Sequence, residues 1–390
     1  MSINFDEPIN RKNTNSLKHD SAEKYGFSHG AVPMWVADMD FKAPQQVIED
    51  VEKIASHGIY GYSEADDSYF DAVNSWFVRE HSYSFRREWL VRTPGVVFAL
   101  AAAVRAFTEE NDSVMIQCPV YYHFIEVIND CRRKLISSSL TEKDGCWSAD
   151  FDDFEKKIKE NNVKLFILCS PHNPLGKVWT RDELKRMGEI CLRHGCIVVS
   201  DEIHCDLVLP GSTHSVFSSV SEDFEQNSII CTSPSKTFNL AGLQISNIFI
   251  PNSRLRAQFR EEIKKTGYDL MNIFGIAACV SAYNHGSSWL NSLKEYLVSN
   301  LEMIREYTAD IPGIRLTEPQ ATYLAWLDFR ELGFSKEELN AFLRDEANIW
   351  LEKGTVFGEE GRGFARLNYA CTKKTLEEAL IRLRRAAMKI

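Results

Sequence analysis

Short apolar runs alternate with amphipathic stretches through the middle of the chain, the pattern of buried strands joined by helices. Lys164-Leu-Phe-Ile-Leu-Cys169 is continuously apolar after its first residue and predicts a strand covered on both faces. Downstream, Thr180 and Glu183 have the spacing of a capping box. Leu184, Met187 and Cys191 share one helical stripe, which Gly195 ends. Cys196-Ile-Val-Val-Ser200 then opens the next strand, and further strands are predicted at Val114–Cys118, Ser228–Thr232 and Ile245–Ile250. After a long helix through Trp289–Tyr307 the rhythm changes. Strand Thr322–Phe329, helix Lys336–Asn348, strand Phe364–Tyr369 and helix Thr375–Met388 come in turn. The pattern predicts a large α/β domain over residues 46–285 and a smaller α+β domain over 286–390, with 1–45 as an N-terminal segment packed on the smaller one. No internal repeat or flexible linker interrupts the chain, so the parts are expected to pack as one body.

Composition narrows the class. The 390 residues are 44% apolar and 26% charged, which excludes a disordered or fibrous chain. With 45 basic and 55 acidic residues the net charge is -10, which repels phosphate backbones and anionic lipid, so neither nucleic acid nor a membrane is an expected partner. The first twenty residues contain no apolar targeting core, and the longest apolar run, Val96–Val104, is cut by Arg105 well short of a membrane span. A cytoplasmic protein is expected. The ten cysteines form no CxxC pair and several lie inside strand-like runs, the placement of buried free thiols. None of the ten histidines belongs to an HExxH or similar ligand pair, so no metal is expected.

Candidate chemistry sits just past the predicted strands. Lys236, in Ser233-Pro-Ser-Lys-Thr-Phe-Asn-Leu-Ala-Gly242, is flanked by small hydroxyl residues in an apolar neighbourhood. A desolvated lysine loses its proton readily and can form an imine with an aldehyde, while Ser233 and Ser235 can donate to a phosphate; a solvated loop lysine is the plainer alternative. Asp201, at the end of a buried strand, can hold a pyridine nitrogen protonated or simply occupy a turn. His204 can hydrogen-bond a phenolic oxygen or be a satisfied core histidine. Asn173, in Ser170-Pro-His-Asn-Pro-Leu-Gly176, is a ligand donor at a strand edge or part of a good turn. Gly95, with Val96 and Val97, precedes a helix whose free N–H groups suit a phosphate, although glycine there is common. Tyr121 can stack on a flat ring or belong to the core. Arg366, a cation in an apolar strand, requires a carboxylate, from a substrate or from a structural ion pair.

Their order is more specific than any one of them. The succession Gly95, Tyr121, Asn173, Asp201, Lys236, Arg366 resembles the site of fold type I pyridoxal-phosphate (PLP) enzymes, of the class I/II aminotransferase superfamily, over nearly the whole chain. The resemblance implies an aspartate-aminotransferase fold, with a mainly parallel seven-stranded sheet in an α/β/α sandwich and a smaller α+β C-terminal domain. It implies Lys236 as the Schiff-base lysine, Asp201 as the pyridinium partner, and Asn173 and His204 on the phenolic oxygen. It further implies Tyr121 as the stacking ring, Gly95, Val96, Val97, Ser233 and Ser235 as the phosphate cup, and Arg366 on the substrate carboxylate. Tyr62 is similar to the tyrosine that reaches the neighbouring subunit's phosphate, which implies a homodimer.

Two departures bear on the subgroup. Gln244 stands eight residues after the lysine, where many aminotransferases carry arginine, and His204 replaces the usual tyrosine. Together with Pro33-Met-Trp-Val-Ala-Asp-Met-Asp-Phe41, Asp201-Glu-Ile-His-Cys-Asp206 and the lysine segment, they resemble the cystathionine β-lyase (MalY/PatB-type) group. That resemblance implies a carbon–sulfur β-lyase acting on cystathionine, cysteine or a related S-conjugate. Lys236 is then the proton carrier, Tyr121 or Tyr122 a further donor, and Trp35, Ala37 and Asp38 line the substrate side. An aminotransferase is the rival reading. A PLP-containing protein that binds a regulator is the third, disfavoured because the chain opens directly on the group's N-terminal segment.

Overall fold

The computed structural model describes residues 3–143 and 145–390. The predicted central unit is present: strand Leu165–Cys169 is buried at every residue and pairs in parallel with Ile197–Asp201. Between them the helix Arg181–Arg193 starts with both halves of the Thr180–Glu183 capping box and buries Leu184, Met187, Ile190 and Cys191. The backbone turns out of that helix at Gly195, whose φ of 65° is left-handed.

Seven strands form the large sheet, in the order Leu90–Thr93, Ser246–Phe249, Ser228–Thr232, Ile197–Asp201, Leu165–Cys169, Ser113–Ile116, Lys134–Ser137. Ser246–Phe249 runs antiparallel to both of its neighbours, and the remaining pairs are parallel. Two apolar clusters cover the sheet, one including the helix residues Leu100 and Phe259, the other Trp76 and Met187. A second sheet, antiparallel, holds Arg315–Thr317, Leu324–Asp328, Phe364–Asn368 and Glu352–Lys353 in that order. Nine of the ten cysteines are buried and Cys146 is exposed. Among the described residues no helix is long and apolar enough to cross a membrane.

Several elements depart from the expectation, among them the edge strands Leu90–Thr93 and Lys134–Ser137, which the pattern does not predict. The strand predicted from Thr322 begins at Leu324, because Thr322 takes a left-handed φ of 74° and its Oγ1 accepts from Leu324 N at 3.1 Å. The helix predicted over Lys336–Asn348 is α-helical only to Ala341 and widens into a π turn over Phe342–Glu346, which buries Phe342 and Leu343 side by side. A hairpin of Leu140–Lys143 with Cys146–Ala149 adds two strands that the pattern does not predict, being short and of mixed polarity.

The N-terminal segment ties the two sheets together. Val32–Pro33 pairs in parallel with Ile349–Trp350 beside the second sheet. A cluster of opposite charges anchors the next stretch of chain. Lys18, fully buried, donates from Nζ to Asp40 Oδ2 at 2.9 Å; His19 Nε2 lies 3.0 Å from Asp40 Oδ1; and Arg11 bridges Asp38 at 2.6 Å and Asp40 at 2.7 Å. Burial by itself raises the Asp40 carboxyl, but Lys18 and His19 outweigh it and hold the group below the ordinary carboxylate range.

A carboxyl depressed in the folded state stabilises it above the unfolded value near pH 4, and that contribution is lost as the pH falls. Asp40→Asn is therefore expected to cost about 2–3 kcal/mol at pH 7, since it leaves the buried Lys18 with only Asp38, 3.8 Å away, for a counter-charge. The difference from the parent should shrink as the solution is acidified toward pH 3, which denaturant titrations at several pH values will measure.

Candidate active site

Three neighbouring parallel strands of the large sheet end at one edge. Cys169 is in register with Asp201, and Asp201 with Cys231, so the segments after the three strands are brought side by side. Open α/β sheets hold their ligands at this edge. Asn173 comes from the first segment, Asp201 and His204 from the second, and Lys236 from the third.

Asp201 is buried, and its Oδ1 accepts one backbone hydrogen bond, from Ile203 N at 3.1 Å. Desolvation pushes its carboxyl up to about 7, more than the Ile203 bond and the charge of Lys236 bring it down. Such an acid is poised to take a cation. Lys236 is half-buried on the helical turn Pro234–Thr237 and donates from Nζ to the carbonyl of Ala37 at 2.7 Å. Burial lowers its ammonium to about 8, with Arg366 acting in the same direction and Asp38 and Asp201 against it.

Arg366 is 2% exposed, yet no carboxylate pairs with it among the described residues. Its Nη1 donates to Asn173 Oδ1 at 3.0 Å and its Nη2 to Trp35 O at 2.9 Å, its Nε finds no partner, and its guanidinium lies over the Phe357 ring at 4.9 Å. The Arg366–Asn173 bond turns the Asn173 amide so that its NH₂ group stays free. His204 also has an unpartnered ring nitrogen, Nδ1, and burial lowers it to about 3, so the ring is neutral. Burial raises the Tyr121 hydroxyl far above its ordinary value, so it keeps its proton at all physiological pH.

Gly95 caps the helix Val96–Phe107 with an extended φ of 175°, and a Cβ built on it meets nothing within 4 Å. No side chain caps the helix's first N–H groups. Ser233 caps the lysine turn: its Oγ accepts from Ser235 N at 3.1 Å, and lies 2.6 Å from Ile245 O and 2.9 Å from Ser235 Oγ. Gly176 is needed for a different reason. Its φ is 64°, and a Cβ there would come within 2.6 Å of Pro319 Cβ and 2.8 Å of Ala321 O, where the two sheets' loops meet. Tyr62, by contrast, is 98% exposed and lines an open cavity of about 570 Å³ with Tyr60, Pro94 and Gln244, a lining that does not include Lys236.

Trp35–Phe41 crosses the site as a strap whose backbone is gripped throughout. Besides the bonds from Arg366 and Lys236, Tyr323 Oη donates to Ala37 O at 3.0 Å, and Asn368 Nδ2 donates to Val36 O at 2.5 Å and Asp38 O at 2.6 Å. Asn239 Nδ2 donates to Met39 O and Phe41 O, each at 2.9 Å. The Asp38 carboxylate points away to Arg11, so this residue meets the site through its backbone and its charge rather than through a free side chain. Tyr323, Asn239 and Asn368 do not stand out in the sequence. Asn368 carries a usable signal, since it stands two residues from Arg366 in a strand and shares its face.

Asp206 is a further support that the sequence does not single out. It accepts from Thr237 Oγ1 at 2.6 Å and Trp76 Nε1 at 3.0 Å, and lies 2.7 Å from His81 Nε2, which pins the turn carrying Lys236 from behind. Asp206, His81 and Cys205 have ligand atoms within 4.8 Å of one another, but these hydrogen bonds already occupy the carboxylate.

The residues present fit PLP. A desolvated acid lacks a cation, a lysine has a lowered pKa, and a guanidinium and a histidine nitrogen are orphaned. They surround a site whose phosphate end has free N–H groups and space at Gly95. Residues 32–383 match the family described as aminotransferase class I and II. Cystathionine beta-lyase PatB of Bacillus subtilis is 42% identical over 98% of this chain and 100% of its own length. Protein MalY of Escherichia coli is 33% identical over 97% of each. The crystal structure of cystalysin from Treponema denticola, which contains pyridoxal 5'-phosphate, superposes with a TM-score of 0.96 at 36% identity, covering 100% of both chains.

The lowered lysine gives a direct expectation for protein stripped of small molecules. Lys236 should react with an amine-labelling reagent along a curve half-complete at about pH 8, read peptide by peptide by mass spectrometry. A curve centred near 10.4, as for an ordinary lysine, contradicts the desolvation described here.

Proposed function

The chain belongs to the aminotransferase class I and II family, and from that premise we propose that it is a PLP-dependent carbon–sulfur β-lyase. The observation that carries the reading is the pair of buried, opposite, ionically unpartnered charges, Asp201 and Arg366, both within Coulomb reach of Lys236. One awaits a cationic ring and the other a substrate carboxylate.

When bound, PLP supplies an aldehyde carbon for amines and a ring that stores negative charge from the substrate Cα. Lys236 would hold its aldehyde carbon and, as a free amine, would be the base that removes the substrate Cα proton. Its depressed pKa suits that task, because a free amine is present near neutral pH. Asp201 holds the proton on the ring nitrogen. Asn173, through its free NH₂ group, and neutral His204 would donate to the phenolic oxygen, and Tyr121 would pack against the ring. The N–H groups after Gly95, at Val96 and Val97, with Ser233 and Ser235, hold the phosphate.

Arg366 fixes the substrate carboxylate, and Asn173 keeps the guanidinium in the plane that this requires. The strap through Trp35, Ala37 and Asp38 covers the substrate and excludes water. Lys236, or the protonated Tyr121 hydroxyl, returns a proton to the departing sulfur. With one water consumed, cystathionine yields homocysteine, pyruvate and ammonia.

The large domain, 46–285, carries the cofactor residues, and the small domain, 286–390, brings Arg366, with residues 1–45 packed against it. The protein is a cytoplasmic homodimer. Its exposed Ile59, Tyr60, Tyr62 and Leu270 favour an interface, in which Tyr62 of the partner subunit completes the phosphate cup that lacks an arginine at Gln244.

Two outcomes are expected. With L-cystathionine and no keto-acid acceptor, the enzyme releases thiol and pyruvate in equal amounts over many turnovers, and Lys236→Ala loses about a thousandfold or more of that rate. A single turnover that resumes only on adding 2-oxoglutarate contradicts the lyase and identifies amino transfer. Tyr62→Phe is expected to lose PLP about tenfold more readily on dialysis, the effect of one hydrogen bond to a charged phosphate. Light scattering should give twice the chain mass.

A further inference from the structure

Beside Arg366 stands a carboxylate that these roles leave unused. Glu352 stands on the edge strand Glu352–Lys353, directly opposite Arg366 in antiparallel register, so both side chains leave the sheet on the same face. It is half-buried, and the one hydrogen bond its carboxylate makes is to its own neighbour, from Lys353 N to Oε1 at 3.2 Å. Among the described residues no cation comes within the 4.0 Å of an ion pair with it, Arg366 included. Desolvation raises its carboxyl, with the charge of Arg366 acting against it, which marks the acid as short of a partner.

An aromatic cluster begins two residues before Glu352, and Tyr122 lies within reach of its charge. Trp350, two residues before Glu352, stacks on Trp35 with centroids 4.2 Å apart and planes 12° apart, and on Phe27 at 4.7 Å. Tyr25 lies 5.4 Å from each of the two tryptophan rings and is 48% exposed, so it marks the mouth. Tyr122 is close enough for Glu352, Arg366 and Tyr25 all to act on its hydroxyl.

A carboxylate among aromatic faces recognises an ammonium, by charge-assisted hydrogen bonds and by the electron-rich ring faces. The ammonium in question cannot be the one on the substrate Cα, which is consumed at the Lys236 end while Arg366 holds the adjacent carboxylate. It must sit on the far side of the sulfur. Resting on the lyase reading above, we propose that Glu352 is a specificity residue that selects thioethers whose leaving thiol itself carries an ammonium, as the homocysteine half of cystathionine does.

The test compares L-cystathionine with S-methyl-L-cysteine, whose leaving group has no charge, in holoenzyme and in Glu352→Gln and Glu352→Asp. The ratio of KM for cystathionine to KM for S-methylcysteine should rise about tenfold in Glu352→Gln, with kcat for cystathionine changed much less, and Glu352→Asp should recover part of it. Calorimetric binding of both compounds to Lys236→Ala protein, with and without Glu352→Gln, reads the same contact without turnover. A ratio unmoved in both measurements, or equal losses on both compounds, overturns the role of Glu352. Selective binding that depends on Glu352, in an enzyme that releases no thiol, instead overturns the lyase reading and leaves the selection standing.

Discussion

A carboxylate removed from water without a cation is costly, and the candidate site is arranged around one. Asp201 ends a strand buried on both faces, where among the described residues its one hydrogen bond comes from the Ile203 N–H, and desolvation raises its carboxyl to about 7 against that bond and the charge of Lys236. The same desolvation acts in the opposite sense on Lys236, bringing it to about 8, and Arg366 is buried without an anion. Among the described residues none of the three has an ion-pair partner. A cationic ring nitrogen, an aldehyde carbon and a substrate carboxylate are what would satisfy them; the fold sets Asp201 and Lys236 side by side by ending neighbouring parallel strands at one edge, and the second sheet brings Arg366 to them.

The strap Trp35–Phe41 shows how the two sheets are made to share that edge. Its carbonyls accept from Arg366 and Asn368 on the second sheet, from Tyr323 beside it, and from Lys236 and Asn239 on the large one. Both groups proposed to hold the substrate, Arg366 and Lys236, therefore also hold the segment that covers it. The Lys18–Asp40 pair behind the strap keeps its far end in place, while Asp206 braces the lysine turn from the opposite side. Binding geometry and chain stability are thus set by the same few hydrogen bonds.

Much of the fold is legible in the sequence because the central strands are unbroken apolar runs. Leu165–Cys169, Ile197–Asp201 and Ser228–Thr232 lie within a residue of where the pattern puts them. The edge elements are harder to read. Leu90–Thr93 has an arginine in its four residues, and the hairpin around Gly145 alternates too briefly to stand out. The π turn after Ala341 has no local signature, since packing of Phe342 and Leu343 decides it. In the site, Lys236, Asp201, Asn173 and Arg366 stand out as polar residues just past or inside apolar strands. The carbonyl contacts of the strap do not, because a backbone carbonyl carries no residue identity. Glu352 is invisible for a related reason, as its two-residue strand acquires meaning only through its register with Arg366.

The central claim is that Asp201 keeps a positive charge on the cofactor ring. Nuclear magnetic resonance of the enzyme loaded with PLP labelled at its ring nitrogen measures that proton directly. A nitrogen that stays protonated well into alkaline solution in the parent protein, and loses the proton in Asp201→Asn, is the predicted result. A nitrogen that is unprotonated at neutral pH in the parent, or one that is indifferent to the substitution, contradicts the account.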